Sequence, residues 1–229
     1  EKTNKLELHV ENGSPELSEN NIIIKAIKLL EKKSGLTITP KITLIKNIPI
    51  GAGLGGGSSD AAATLKAINE LYNLNYSTKE LKPLALELGS DVPLFLYDFP
   101  TIGKSRGEIL EKTSLQIKHT IVLVNPGIHI STKDAFSKII PKPNTFNYSN
   151  ISDLDIRDWN GKVINDFETS VFEIYPEVKR VKETLIKNGA LFALMSGSGS
   201  TVYGIFESSD IAKAAIVSFP KSYFTFIES

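Results

Sequence analysis

Pro49-Ile50-Gly51-Ala52-Gly53-Leu54-Gly55-Gly56-Gly57-Ser58-Ser59-Asp60-Ala61-Ala62 is the stretch on which the fold turns, with five glycines in the seven positions 51–57. It follows a strand-like run at 41–48, where Ile42, Leu44 and Ile48 are apolar. It opens a helical pattern with Ala61, Leu65, Ile68 and Tyr72 on one face. Glycines let the backbone approach a ligand closely and take up φ > 0. The first helical turn adds amides without internal partners and the positive end of the helix dipole. Strand, glycines and helix start together predict an anion site suited to phosphates. Ser58 and Ser59 bring hydroxyls that can cap the helix, touch phosphate oxygens or ligate Mg²⁺. No Lys-Ser or Lys-Thr follows the last glycine, so the loop is not of the Walker A type. Gly51, Gly53 and Gly56 fit G-x-G-x-x-G, but so glycine-dense a run meets that pattern by chance, and it is not read as a dinucleotide fingerprint. The plain alternative is a tight strand-to-helix corner with Ser58 as N-cap. Such a corner needs one or two glycines, and five lose more chain entropy on ordering than it requires.

Upstream of this loop, residues 5–10 alternate polar and apolar like a half-buried strand, and Asn12-Gly13 marks a turn. From Asn21 the spacing becomes helical, with Ile23, Ala26, Ile27 and Leu30 on one face and Gly35 as the stop. Downstream, Ser77-Thr78-Lys79-Glu80 is a capping box opening another helix, and Pro83 is expected to kink it or shift its start. A second half begins near residue 116. A strand at 119–124 ends at Asn125-Pro126-Gly127, 132–140 read as helix, and 141–153 read as loop. Pro176 opens a helix to Asn188 with Val178, Val181 and Leu185 inward and Gly189 as C-cap. Apolar strands at 191–195 and 201–206 flank Ser196-Gly197-Ser198-Gly199-Ser200; Ser208 caps a last helix and 223–227 form a last strand. Helices and strands alternate in both halves, which reads as α/β or α+β architecture in two lobes, 1–115 and 116–229.

The chain has 229 residues, 41% hydrophobic and 23% charged, with Lys plus Arg equal to Asp plus Glu at 26 each. This composition excludes a mainly disordered chain, collagen and a coiled coil. Zero formal charge gives no global electrostatic footprint for nucleic acid or an anionic membrane. The absence of cysteine excludes disulfides, zinc ribbons and thiol catalysis, and fits a reducing compartment such as the cytoplasm. No apolar run approaches the ~20 residues needed to span a bilayer. The chain starts without Met and in strand-like alternation, so it is expected to begin inside a domain.

Outside the first loop, the candidate residues are few. Leu88-Gly89-Ser90-Asp91-Val92-Pro93-Leu94-Phe95 sets one carboxylate between an apolar helix end and an apolar strand. Desolvation there raises a carboxyl pKa unless a cation is near. Asp91 reads equally as a base that orients a hydroxyl and accepts its proton, or as a turn residue before Pro93. The stretch 196–200 reads as a flexible hairpin or as a backbone nest for an anion. Arg106, in the charged turn Lys104-Ser105-Arg106-Gly107-Glu108, is within the repertoire of phosphate contacts. His9, His119 and His129 lack metal-ligand spacing, Trp159 reads as a core or interface anchor, Asn165-Asp166-Phe167-Glu168 as a helix cap, and Asp153, Asp155 and Asp158 as an exposed turn.

At 49–62 the sequence resembles the phosphate-binding motif of the GHMP kinase superfamily, which covers galacto-, homoserine, mevalonate and phosphomevalonate kinases. In its extra glycine and its Ser-Ser-Asp-Ala-Ala it is similar to the branch that acts on a cytidylylated methylerythritol in non-mevalonate isoprenoid biosynthesis. The stretches Leu88-Gly89-Ser90-Asp91-Val92-Pro93, Arg106-Gly107-Glu108 with Leu110, Val124-Asn125-Pro126-Gly127 with Ser131-Thr132, and 194–199 agree with it. The resemblance implies an α+β fold, with a first lobe like domain 2 of ribosomal protein S5 and a ferredoxin-like second lobe. It implies ATP-dependent phosphorylation of the C2 hydroxyl, with Mg²⁺. Asp91 matches the catalytic aspartate; Pro49, Gly51, Ala52, Gly53, Leu54, Gly55, Gly56, Gly57, Ser58 and Ser59 would cradle the triphosphate; Asn21 matches a position near the adenine; Gly197 and Ser198 would lie near the acceptor and the transferred phosphate. The partner implied is a small molecule; the balanced charge and the lack of a long apolar run give no expectation of a nucleic-acid or membrane partner, and a weak homodimer is expected because oligomers are common among soluble enzymes. The family also opens with a Lys-x-Asn strand and an Asp-Gly-Tyr-His-like stretch, and neither occurs in this sequence. That Lys would pair with Asp91, and the aromatic and His would hold the cytosine. The chain is therefore expected to be a fragment or truncated form with an unpaired sheet edge. The alternatives are another small-molecule kinase of the superfamily, or an ATP-binding module without turnover.

Overall fold

The computed structural model describes residues 4–12, 21–139 and 146–228, and the chain divides into two compact units. The first comprises Glu1–Ile48 and Gly55–Thr113, the second Pro49–Leu54 and Ser114–Ser229. The chain thus changes unit three times: at Ile48-Pro49, inside the glycine-rich loop at Leu54-Gly55, and at Thr113-Ser114, beside the boundary expected at 115. Gly13 of the expected Asn12-Gly13 turn, and 140–145 of the expected helix and loop beyond 131, lie outside the described residues.

In the first unit, β1 (Glu7–Glu11) and β2 (Lys41–Ile45) pair in parallel, with Glu7 opposite Lys41 and Glu11 opposite Ile45. Among the described residues no third strand joins this sheet. Between the two strands runs α1 (Ile22–Ser34). Asn21 caps it, its side-chain oxygen accepting from the Ile23 amide at 2.9 Å, and Gly35 ends it at φ 71°. Ile23, Ala26, Ile27 and Leu30 are buried, as their spacing predicts. They pack with Ala61, Ala62, Leu65 and Ile68 of α2 (Gly56–Leu71) and with Leu81 and Ala85 of α3 (Thr78–Leu88). The Ser77/Glu80 capping box is formed, and α3 runs on through Pro83. A 3₁₀ helix (Val92–Leu96) follows where a strand was expected. Pro93 suits its first turn, where an amide donor is not needed. The hairpin β3 (Thr101–Lys104) and β4 (Ile109–Lys112) closes the unit around the charged turn at 105–108.

The second unit is a four-stranded antiparallel sheet of order β6-β7-β5-β8: β5 (Thr120–Asn125), β6 (Phe192–Met195), β7 (Val202–Phe206) and β8 (Phe224–Glu228). Its helices are α4 (Thr132–Phe136), α5 (Phe167–Ile174), α6 (Pro176–Lys187) and α7 (Ser209–Ile216). Strand, helices, two strands, helix, strand with this order is the split βαβ of a ferredoxin-like lobe. Period-two alternation divides the sheet residues between two faces. Val122, Val124, Ala193, Met195, Val202 and Phe206 pack with Val178, Val181 and Leu185 of α6 and Ala212 and Ala215 of α7. Phe192, Leu194 and Ile205 pack on the other side with Ile151, Ile156 and Trp159. That second layer is made by two 3₁₀ turns, Tyr148–Asp153 and Ile156–Trp159, the first lying where loop was expected. Because both faces are covered, β6 reads as a continuous apolar run. Trp159 is core, edge-on to Phe192 at 5.6 Å. Among the described residues no helix is long and apolar enough to cross a membrane.

Tyr203, on β7, lies 6.1 Å from the Phe192 ring. Burial, then the nearby Glu168 and Tyr148, push its phenol up to about 12. An unfolded tyrosine ionises near ~10, so this group's contribution to stability is complete below that pH and is lost as pH rises towards the folded value. Spectrophotometric titration should show one tyrosine ionising only as the fold gives way in that range. A Tyr203→Phe variant should lose that step.

Candidate active site

In the first unit, the helix start defines the site. Gly55, at φ 66°, is the N-cap of α2, and no side chain caps it. The first helical bond runs from the Ser59 amide to the Gly55 carbonyl at 2.8 Å. The amides of Gly56, Gly57 and Ser58 therefore have no hydrogen-bond partner among the described residues. Gly56 and Gly57 are helical, so Ser58 is not the N-cap of the corner reading; it sits one turn in. Ser59 sends its hydroxyl to the Gly56 carbonyl at 3.1 Å. A β-carbon on Gly55 would stand 2.7 Å from the Phe95 ring.

Lys46, just beyond β2, was not singled out in the sequence. Its Nζ donates to Asp60 at 2.7 Å, with only 10% of its side chain exposed. Its Nζ also stands 3.6 Å from where a Gly56 β-carbon would be. A cation near a helix N-terminus is unfavourable by itself, and Asp60 in the second turn offsets it. No spacing rule links positions 46 and 60, because their meeting depends on β2 packing beside α2.

Asp91 precedes the 3₁₀ helix in the αR region, and its carbonyl accepts from Leu94 at 3.2 Å. Its side chain is exposed, so the expected desolvation is absent, and it makes no ion pair among the described residues. The β3–β4 turn reaches it. Arg106 Nη2 donates to Ser90 Oγ at 3.1 Å, and a β-carbon on Gly107 would stand 3.9 Å from Asp91 Oδ1. Asn21 lies in this unit with its side-chain oxygen committed to the α1 cap.

In the second unit, the other half of the glycine-rich loop docks on 196–200. Ser196 Oγ donates to the Gly53 carbonyl at 2.7 Å, and the Thr201 amide to the Ala52 carbonyl at 3.2 Å. Gly53, at φ 75°, leaves no room: a β-carbon would lie 2.1 Å from the Ser196 carbonyl oxygen. Gly51, at φ 67°, faces the His129 ring, whose Nδ1 is 3.2 Å from its would-be β-carbon. The far end of 196–200 is fixed by Asn125. Its Nδ2 donates to Thr201 Oγ1 at 2.9 Å and Ser200 Oγ at 3.2 Å, and its Oδ1 accepts from the Gly127 amide at 2.8 Å. The flexible-hairpin reading of 196–200 is corrected: the turn is tied at both ends. Gly197 is exposed and Ser198 half-buried beside it. His, Asp and Glu form no metal-holding group of three or more among the described residues.

Residues 21–99 match the GHMP kinases N terminal domain, and 154–224 match the GHMP kinases C terminal domain. A 4-diphosphocytidyl-2-C-methyl-D-erythritol kinase of Azobacteroides pseudotrichonymphae is 43% identical over 195 residues, covering 82% of this chain and 71% of that protein. One of Parabacteroides distasonis is 41% identical over 191 residues, covering 82% of this chain and 70% of that protein. A crystal structure of 4-(cytidine 5'-diphospho)-2C-methyl-D-erythritol kinase superposes with a TM-score of 0.80 at 30% identity, over 97% of this chain and 81% of that one. With both lobes matched and the glycine-rich loop inside the matched region, the chain belongs to the GHMP kinase superfamily, in its 4-diphosphocytidyl-2-C-methyl-D-erythritol kinase branch.

Proposed function

We propose that the chain transfers the γ-phosphoryl group of ATP to the C2 hydroxyl of 4-diphosphocytidyl-2-C-methyl-D-erythritol, in the cytoplasm, as a step of non-mevalonate isoprenoid biosynthesis. The observation that carries this reading is the uncapped start of α2, where three consecutive amides without helical partners and the helix dipole favour an anion. In this reading 1–115 form the ATP-binding lobe and 116–229 the second lobe. Pro49, Gly51, Ala52, Gly53, Leu54, Gly55, Gly56, Gly57, Ser58 and Ser59 hold the triphosphate, Asn21 lies towards the adenine, and Gly197 and Ser198 face the acceptor. Asp91 orients the hydroxyl and takes its proton as the new O–P bond forms and ADP departs. The exposed Asp91 carboxylate is available for that exchange. Arg106, beside Ser90, adds positive charge near it.

The residues present fit Mg²⁺ arriving with the nucleotide rather than resident in a protein cage, since no carboxylate cluster is built among the described residues. Ser58 and Ser59 would share it with the phosphates, the Ser59 hydroxyl leaving the Gly56 carbonyl to do so. When bound it offsets charge on the β- and γ-phosphates. A balanced net charge speaks against a nucleic-acid partner, and the chain self-associates as a weak homodimer.

Gly57→Ala tests the carrying observation. Gly57 is helical and a β-carbon there meets nothing within 4 Å. Alanine gains up to ~1 kcal/mol of helix propensity. The variant should melt no lower than the parent, yet bind ATP on the order of tenfold more weakly, because the methyl stands where phosphate must approach. Unchanged affinity by calorimetry would remove the amides from the binding site. Coupled assays with separate acceptors test the reaction: turnover with mevalonate or homoserine, but not with the cytidylylated acceptor, rejects the substrate. Asp91 without an ion partner among the described residues favours one other reading, an ATP-binding module; ATP binding without turnover on any acceptor would support it.

A further inference from the structure

Among the described residues β6 is an outer strand of its sheet, and an outer strand leaves one row of backbone groups without a strand partner. At Met195 that row is met by side chains from the segment entering α5. The Met195 amide donates to Glu168 Oε1 at 2.9 Å. Asn165 Nδ2 donates to the Met195 carbonyl at 2.7 Å and to the Gly197 carbonyl at 2.8 Å. Asn165 Oδ1 accepts from the Phe167 amide at 3.0 Å. A carboxamide has two donor hydrogens and an oxygen with two lone pairs, so both donors are used and the oxygen is engaged once. Glu168 is held in turn by Lys182 of α6, whose Nζ donates to Oε2 at 2.6 Å. One amide therefore spans the two carbonyls on either side of Ser196 and fixes the direction in which the Gly197-Ser198 peptide leaves the strand.

We infer that Asn165 is a positioning residue for the phosphoryl transfer: it touches neither substrate, but holds the Gly197 carbonyl so that the Gly197-Ser198 backbone faces the acceptor. This rests on the reading above that Gly197 and Ser198 lie on the acceptor side. Asn165→Asp keeps the shape and the Phe167 cap, but replaces both donors with an oxygen facing two carbonyl oxygens. A carboxyl so placed favours its protonated form, which restores one donor. Asn165→Ser keeps a capping oxygen and is too short to reach either carbonyl. The two variants thus make different demands on pH.

Steady-state kinetics of the full chain from pH 8.5 to pH 6 test this, alongside thermal melts. At the alkaline end Asn165→Asp should lower kcat/KM for the acceptor on the order of a hundredfold. KM for ATP should move less than about threefold, and the deficit relative to the parent should shrink on the order of tenfold on acidification. Asn165→Ser should show a loss without that recovery. Parent-like kinetics in both variants overturn the inference. So does a loss in which both KM values shift together with the melting temperature and no acid recovery appears. If the parent itself turns over no acceptor, the functional reading fails, and hydrogen–deuterium exchange of 195–201 decides the clamp. Faster exchange in both variants retains it, and unchanged exchange ends it.

Discussion

Asp91→Asn is expected to reduce phosphoryl transfer by roughly 10²–10⁴-fold, the usual contribution of a positioned proton acceptor. The substitution is isosteric and removes only the ability to take up the hydroxyl proton. Asp91 is exposed and its side chain neither caps the 3₁₀ helix nor pairs with a cation among the described residues. The cost in stability is therefore that of an ordinary surface change, within about 0.5 kcal/mol. ATP affinity should hold or tighten slightly, because a negative charge is removed from the neighbourhood of a polyanion. ADP release in a coupled assay, with calorimetric titration of ATP on the same preparation, separates the two quantities. Unchanged turnover removes Asp91 from the reaction. A matching loss of affinity would instead place the carboxylate in nucleotide binding.

The contrast between Asp91 and Asn165 shows where reading from sequence stops. Elements whose determinants are local were legible. The α1 face, its Asn21 cap and Gly35 stop, the Ser77/Glu80 box and the buried face of α6 depend on residues within one or two turns of each other. The passage of the glycine-rich loop into a helix was legible for the same reason. The start of α2 was not, because Gly56 and Gly57 have poor intrinsic helix propensity and are held helical by the buried turn that follows. The 3₁₀ helix after Asp91 cannot be told from a strand by pattern, since a short apolar run with one proline fits either conformation. The stretch Asn165-Asp166-Phe167-Glu168 reads as a helix cap, and the Asn165 oxygen does accept from the Phe167 amide beside the N-cap Asp166. The Asn165 bonds to Met195 and Gly197 cross some thirty residues of chain and need the edge of β6 to exist first. Lys46 and Asp60, and Ser196 and Gly53, belong to the same class: each pair is made by the fold, and no periodicity announces it.

Gly53→Ala is expected to destabilise the second unit by about 3–5 kcal/mol, a large effect for one methyl group. Two costs add. At φ 75° any L-residue pays, by roughly 1–2 kcal/mol, for the left-handed backbone. The added carbon also meets backbone on every near side: the Ser196 carbonyl oxygen at 2.1 Å, the Gly199 carbonyl oxygen at 2.9 Å and the Gly199 nitrogen at 3.0 Å. None of these can turn away as a side chain can, so relief requires the two glycine-rich stretches to part. Parting them breaks the Ser196–Gly53 bond and strips the Thr201 amide of the Ala52 carbonyl beside a buried residue, at about 1–3 kcal/mol for groups left unpaired. The same change at Gly55 meets only the Phe95 ring, which can rotate, and should cost less despite a similar φ of 66°. Urea unfolding of the two variants beside the parent measures the difference. If Gly53→Ala shifts stability by less than about 1 kcal/mol, or if Gly55→Ala proves the worse of the two, the docking of 49–54 on 196–200 is not the rigid contact described above.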